Sequence, residues 1–131
     1  MPNSPLWTSL AVFLGAGFGA NARYWIGIWA VNKFEVAAIG TLTVNISGSL
    51  LMGVVLAFAS AERLSSNWVP FLAAGLLGGF TTFSAFSGEV MQMIQLRHFE
   101  LAVLYMVASV LLSLLACYVG FFGASAILRA F

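Results

Sequence analysis

Four long apolar segments dominate the chain, and short polar connections separate them. The segments run over residues 6–31, 36–61, 69–96 and 99–128. Each is longer than the ~20 residues that an α-helix needs to cross a bilayer. The pattern predicts an all-α integral membrane protein with four transmembrane helices in a single transmembrane domain, residues 1–131.

The composition supports a membrane protein and excludes several functions. The chain is 62% hydrophobic and only 7% charged, whereas a soluble domain carries about 25% charged residues. Water could not solvate such a surface, so we expect the helices to face a lipid bilayer. The net charge of +1 provides no basic face for nucleic acid. No nucleophile–base pair is evident, so we expect neither an enzyme nor an organic cofactor.

Lysine and arginine are shared almost equally between the two predicted sides of the membrane. Arg63 and Arg129 fall on the side of the N-terminus, and Lys33 and Arg97 fall on the other side, together with Arg23 near that end of the first helix. Orientation normally follows an excess of these residues on one side. The balance favours a protein that inserts both ways round and forms an inverted dimer, although a weak bias read by other means is the alternative.

The middle of the third segment combines Gly78 and Gly79 with β-branched Thr81 and Thr82. Glycine weakens a helix by roughly 1 kcal/mol relative to alanine, so we predict a helix broken at mid-membrane. Free carbonyls at such a break suit a cation, and free N–H groups suit an anion. In an inverted dimer, carbonyls of both subunits could hold one central ion. The alternative is that Gly75 and Gly79 form a helix-packing face.

A row of aromatic side chains follows the break. Phe80, Phe83 and Phe86 recur every three residues, which predicts a shared helix face. The positive edges of phenyl rings could contact an anion weakly enough for it to leave again. Packing without any contact to an ion is the alternative.

Polar side chains on other helices fall at the depth of these rings. Asn45 and Ser109 lie about as far from the same end of their helices as Phe83 and Phe86 do. Tyr105, Ser109 and Ser113 stand four apart, so their hydroxyl groups form one stripe on the fourth helix, although each hydroxyl could simply bond its own backbone. This common depth predicts a path lined by N–H and O–H donors, which suits a small anion.

Two charged residues within the apolar segments have two possible roles each. Arg23 either snorkels to the interface or sits at a pore mouth, where it concentrates anions. Glu89 is a functional candidate because carboxylates are rare in membrane helices, but near the interface it could instead pair with a cation.

Three runs of residues resemble the Fluc family of fluoride channels, also called CrcB. They are Asn-Ala-Arg-Tyr at 21–24, Thr-Val-Asn-Ile-Ser-Gly at 43–48 and Gly-Gly-Phe-Thr-Thr-Phe-Ser-Ala-Phe at 78–86. The resemblance covers the whole chain. It implies an antiparallel, dual-topology homodimer in the bacterial inner membrane, with two fluoride pores. It further implies passive export that reduces cytoplasmic fluoride toxicity, and a structural sodium ion at the dimer centre.

The resemblance also assigns roles to residues of this chain. Backbone carbonyls of Gly78 and Thr81 would hold the sodium ion, Arg23 would lie in the vestibule, and Phe80 would only pack. The fluoride pore would be formed by Asn45, Phe83, Ser84, Phe86, Tyr105, Ser109 and Ser113.

One position departs from the family pattern, which usually has threonine where this chain has Ala85. A hydroxyl is therefore missing beside Phe86. We expect either slower permeation or compensation by the hydroxyl groups of Ser84 and Ser87.

Two other functions compete with the channel. A small dual-topology multidrug/proton antiporter would need a carboxylate deep in the first helix, and the only charge within residues 6–31 is Arg23. A membrane assembly factor that transports nothing would not need polar groups matched in depth. The sequence therefore favours a fluoride channel.

Overall fold

The computed structural model of the protein describes residues 4–130. Within this range the chain is helical and contains no strand, which confirms the predicted all-α class. The helices are α1 Pro5–Phe34, α2 Ala37–Ser60, α3, α4 Phe83–Gln95 and α5 Phe99–Ala130. Helix α3 begins as a π-helix over Pro70–Leu77 and continues as one α-helical turn over Gly78–Phe80. The ends of the predicted domain, residues 1–3 and 131, lie outside the described residues.

Three stretches are long and apolar enough to cross a membrane, namely Ala37–Ser60, Pro70–Gln95 and Phe99–Ala130. They indicate a multi-pass membrane protein. Although α1 has 30 residues, it is not among these stretches, since polar side chains such as Asn21 and Arg23 lower its mean hydropathy. A fourth crossing by α1 therefore stays a prediction.

Large apolar side chains cover much of the outer surface of the helices. Phe13 of α1 is 73% exposed and Leu114 of α5 is 64% exposed. An apolar surface of this extent needs lipid or another protein against it. The surface agrees with helices that lie in a bilayer.

The helices turn sharply into the short connections through residues in the left-handed conformation. Glu35, Glu62 and Arg97 have φ angles of 58°, 54° and 61°. After α4, the His98 N–H donates to the Met93 carbonyl at 2.8 Å and the Arg97 N–H to the Ile94 carbonyl at 3.0 Å. These bonds satisfy carbonyls at the helix end, so a helix can reverse within a few residues.

Glycines bring α1 and α3 into backbone contact. A Cβ atom added to Gly79 would lie 2.5 Å from the Ala16 carbonyl oxygen, and one added to Gly15 would lie 2.5 Å from the Phe71 carbonyl oxygen. Gly75 likewise meets the backbone of α1 at Val12. Small residues at membrane-helix contacts permit this closeness, so the packing interpretation of Gly75 and Gly79 is confirmed.

The third segment is broken as predicted, but the break lies just beyond the glycine pair and not at it. Gly78 and Gly79 remain helical, and the chain becomes extended at Thr81 (φ −82°, ψ 161°) and Thr82 (φ −151°, ψ 124°). The expectation that Phe80 shares a helix face with the later rings is wrong for the same reason. Phe80 ends α3 and lies against Gly48 of α2.

Candidate functional site

The side chain of Asn45 spans the break and bonds both backbone groups of Thr82. Its Oδ1 accepts from the Thr82 N–H at 2.8 Å, and its Nδ2 donates to the Thr82 carbonyl at 3.0 Å. The amide thus replaces the backbone partners that a continuous helix would supply. One N–H of the Asn45 amide is left to bind another group, because Nδ2 carries two protons.

Two backbone carbonyls lose their helical partners at the break. In a continuous helix the Thr82 N–H would bond the Gly78 carbonyl, and it bonds Asn45 instead. The Ala85 N–H would bond the Thr81 carbonyl, and it bonds Thr82 Oγ1 at 3.2 Å instead. The carbonyls of Gly78 and Thr81 are thereby left to accept from, or bind, another group. Carbonyl oxygens suit hard cations.

Arg23 contacts the same segment from α1. Its Nε donates to the Gly79 carbonyl at 3.1 Å, and the side chain is half-buried. The structure therefore places this guanidinium beside the break. The positive charge lies close to the backbone that the break exposes.

The second half of the segment, α4, begins with Thr82 as its N-cap. The Thr82 hydroxyl accepts from the Ala85 N–H and lies 3.2 Å from the Ser84 hydroxyl. A helix N-terminus carries a positive partial charge. The start of α4 thus presents this charge beside Thr82 and Phe83, both of which line the adjacent cavity.

A cavity of about 320 Å³ opens beside the break, between α2, α4 and α5. Every side chain that lines it is uncharged, and about half of them carry a hydroxyl or amide group. The lining residues are Asn45, Ser49, Thr81, Thr82, Phe83, Phe86, Ser109, Val110, Ser113 and Leu114.

The cavity brings together most, but not all, of the residues assigned to the pore from the sequence. Asn45, Phe83, Phe86, Ser109 and Ser113 line it together. Ser84 and Tyr105, the other two residues assigned to the pore, do not line the cavity. The Ser84 hydroxyl lies beside that of Thr82, and the Tyr105 hydroxyl bonds Glu89.

The rings of Phe83, Phe86 and Tyr105 contact one another in a row beside the cavity. The ring centroids of Phe83 and Phe86 are 5.5 Å apart, and those of Phe86 and Tyr105 are 5.2 Å apart. Phe83 is 76% exposed, whereas Phe86 is 9% exposed. Phe86 is therefore fixed between two rings, and Phe83 forms the open side of the site.

A carboxylate with two hydroxyl donors lies next to the rings. Tyr105 Oη donates to Glu89 Oε2 at 2.6 Å, and Thr41 Oγ1 donates to Glu89 Oε1 at 2.7 Å. The structure thus gives Glu89 hydroxyl partners rather than the cation considered from the sequence.

The hydroxyl of Ser109 is buried at the cavity without a partner. Ser109 is 6% exposed, and its Oγ makes no hydrogen bond to any of residues 4–130. An unpaired buried hydroxyl costs free energy. A bound ion or water at the cavity would satisfy it.

Ala85 lacks the hydroxyl that the family pattern has at this position, so we consider whether neighbouring hydroxyls replace it. The Ser84 hydroxyl lies beside Thr82, and the Ser87 hydroxyl donates to the Phe83 carbonyl at 2.9 Å. Both hydroxyls that were expected to compensate are engaged locally within α4.

Sequence reasoning missed three polar residues of the site, Thr41, Ser49 and Thr82. Thr41 and Ser49 stand one helical turn before and after Asn45, so the four-residue spacing was the signal that would have found them. The role of Thr82 as a cap depends on where the helix breaks, and no local pattern marks that position.

Comparison with known proteins places the chain in a family. The family of CrcB-like proteins, described as camphor resistance (CrcB), matches residues 10–121. The chain belongs to this family. The resemblance noted from the three sequence motifs is thereby confirmed.

Relatives with assigned names are similar over most of the chain. A fluoride-specific ion channel FluC from Marinobacter nauticus is 40% identical over 116 residues, which cover 88% of this chain and 92% of the relative. FluC from Coxiella burnetii is 43% identical over 115 residues, covering 85% and 92%. FluC from Oceanobacillus iheyensis is 38% identical over 112 residues, covering 85% and 86%. These relatives are named as ion channels and not as enzymes.

Proposed function

We propose that this protein is a fluoride-selective ion channel that lets fluoride leave the cell passively and so lowers its toxicity in the cytoplasm. The observation that carries the proposal is the uncharged cavity at the helix break, where Asn45, Ser109 and the rings of Phe83 and Phe86 meet. The names of the CrcB-family relatives support the choice of ion.

The chemistry of the cavity suits a small anion that must pass quickly. Fluoride holds its water strongly, so a channel has to replace that water with other donors. The free N–H of Asn45 and the unpartnered hydroxyl of Ser109 are such donors. The edges of the Phe83 and Phe86 rings contribute weak positive charge. Without a full positive charge in the lining, the anion can leave again.

The residues around the cavity shape it rather than contact the ion directly. Tyr105 packs on Phe86 and is held by Glu89, so it fixes the orientation of that ring. Arg23 holds the Gly79 carbonyl from α1, and its charge attracts anions toward the break.

We further infer that two copies assemble in opposite orientations in the bacterial inner membrane, each with four membrane-crossing helices, and that the dimer holds two pores. The balanced distribution of lysine and arginine supports insertion in both orientations. The exposure of Phe83 supports a second copy that would close the open side of the cavity.

The carbonyls of Gly78 and Thr81 fit a structural sodium ion. Their helical donors are diverted to Asn45 and Thr82, and neutral oxygen ligands suit a hard monovalent cation. When bound, sodium would be coordinated by the exposed carbonyls of both subunits at the dimer centre. Exhaustive exchange of sodium for a large organic cation should therefore shift the protein from dimer to monomer in gel filtration. A dimer that is indifferent to this exchange would contradict the sodium site.

The channel function is tested by anion efflux from liposomes that contain the purified protein. A fluoride electrode and a chloride electrode record the loss of each ion, with empty liposomes as the control. We expect fast fluoride loss without chloride loss. Folded dimers that release no fluoride would refute the proposal, and an Ala85→Thr variant with the same result would exclude a defect caused by the missing hydroxyl.

A further inference from the structure

Two polar stripes face each other on α2 and α5, with one member on each helical turn. Every fourth residue contributes to them, so each stripe lies on one face of its helix. The stripe on α2 consists of Thr41, Asn45 and Ser49 and is continued by Gly53, and the stripe on α5 consists of Tyr105, Ser109 and Ser113 and is continued by Cys117.

Contacts at both ends set the two stripes in register. At one end, the hydroxyls of Thr41 and Tyr105 bond the same carboxylate. At the other end, Gly53 lies against the Cys117 carbonyl. The helices therefore run parallel, and the positions between these ends pair in order. On the two stripes, the turn after Thr41 and Tyr105 carries Asn45 and Ser109, and the following turn carries Ser49 and Ser113; we call these pairs the first and the second level.

The cavity contains both of the middle levels. At the first level, Asn45 and Ser109 offer donors. At the second level, an anion would meet the apolar side chains of Val110 and Leu114. A single hydroxyl from Ser113 would replace little of the water that an ion loses there, and burying a charge without enough partners is costly.

The hydroxyl of Ser49 is available at this second level. Two neighbouring hydroxyls on α2 bond their own helix: Thr43 Oγ1 donates to the Ile39 carbonyl and Ser47 Oγ to the Thr43 carbonyl. Among residues 4–130, the Ser49 hydroxyl has no such bond, although Ser49 lines the cavity. The buried, unpartnered hydroxyl of Ser109 marks the adjacent level as a place where a ligand is needed.

We infer that Ser49, together with Ser113, forms a second anion-coordinating level one helical turn beyond Asn45 and Ser109. The inference rests on the proposed fluoride channel and extends it by a contact residue from α2. An ion that leaves Asn45 then passes to a pair of hydroxyls from two helices, and it is never left with one donor in an apolar stretch.

Fluoride efflux from liposomes tests this inference with matched serine variants. The Ser49→Ala variant lacks one of the two hydroxyl donors of the second level. It should therefore slow fluoride efflux roughly three- to tenfold, because that is the effect of losing one modest hydrogen bond in the rate-limiting region. Ser47→Ala is the control, because its hydroxyl bonds the Thr43 carbonyl away from the cavity, and its efflux should stay close to that of the wild type. Ser49→Thr keeps a hydroxyl and should retain most of the efflux.

A further substitution at position 49 keeps the inference testable if Ser49→Ala does not fold. Ser49→Cys keeps the shape of serine with a weaker donor, so it should also slow efflux if Ser49→Ala fails to give folded dimers. Equal efflux from folded Ser49→Ala and Ser47→Ala, or from Ser49→Cys and Ser47→Ala where Ser49→Ala does not fold, would overturn the second level while leaving the channel intact. A wild type that moves no fluoride would overturn both proposals.

Discussion

At the scale of single residues, Asn45 combines a structural bond to the backbone with a free amide proton at the cavity. Both backbone groups of Thr82 depend on its side chain, and the second proton of Nδ2 is left for the cavity. A substitution of Asn45 should therefore affect stability and transport together. A residue that only contacted the ion would affect transport alone.

Asn45→Ala should lower stability by about 1–3 kcal/mol, because the N–H and carbonyl of Thr82 would lose their partners. Asn45→Asp should nearly abolish fluoride efflux, since its negative charge repels the ion. The control is Thr43→Ala, whose hydroxyl bonds only the Ile39 carbonyl on an exposed face. Thermal unfolding in detergent and efflux from liposomes measure the two effects. Wild-type behaviour of both Asn45 variants would exclude the residue from the break and the pathway.

The two cavity phenylalanines should respond differently to substitution. Phe83→Ile and Phe86→Ile should both reduce fluoride efflux, by roughly tenfold or more, because each removes an aromatic edge. Only Phe86→Ile should also lower stability, since Phe86 is 9% exposed and Phe83 is 76% exposed. Phe122→Ile is the control, because Phe122 is a half-exposed ring on α5 outside the cavity lining. Undiminished efflux in both cavity variants would remove the rings from the mechanism.

At the scale of elements, the third segment is held in two ways. Its first half, α3, lies against α1 through glycines, and its second half, α4, is tied to α2 by Asn45 and Glu89. The two halves are thus fixed to different neighbours. The extended residues Thr81 and Thr82 connect two anchored pieces, so the break is a fixed part of the structure and not a flexible joint.

Gly79→Ala tests the contact between α1 and α3. The new Cβ would lie 2.5 Å from the Ala16 carbonyl oxygen, so the helices must separate at a cost of about 1–3 kcal/mol. Gly123→Ala on α5 meets nothing within 4 Å and should gain roughly 0.5–1 kcal/mol from reduced backbone freedom. Thermal unfolding compares the two variants. If both substitutions shift the melting temperature alike, the close approach of α1 and α3 is wrong.

At the scale of the whole molecule, the chain exposes large apolar side chains on α1, α2, α4 and α5 and leaves one side of its cavity open at Phe83. A bilayer can cover most of this surface. It cannot solvate the polar lining of an open pore, because lipid tails offer no hydrogen bonds. A second copy in the opposite orientation would cover that side.

Dual topology can be tested with a matched pair of charge variants. Glu62→Lys with Ser66→Lys adds positive charge between α2 and α3, and Glu35→Lys with Glu100→Lys adds it at the opposite ends of the helices. Each variant should fix one orientation. Fluoride efflux from cells should therefore fall when either is expressed alone and recover when both are expressed together. Full efflux from each variant alone would contradict an inverted dimer.

The sequence by itself determined the helical membrane class and the family, because hydropathy, helical periodicity and short motifs are local properties. It also placed Asn45, Phe83, Phe86 and Ser109 at one depth, since depth along a helix follows from counting residues. The ion assigned to the channel depends on the resemblance and on the names of the relatives.

Only the tertiary structure decided where the helix breaks and which hydroxyls reach the cavity. Thr82 leaves the helix because Asn45, far away in the chain, takes its backbone bonds. Ser84 and Tyr105 leave the cavity lining because Thr82 and Glu89 offer them closer partners. These outcomes depend on competition between partners on different helices. Such a competition is settled only when the helices pack, and no pattern along a single segment records it.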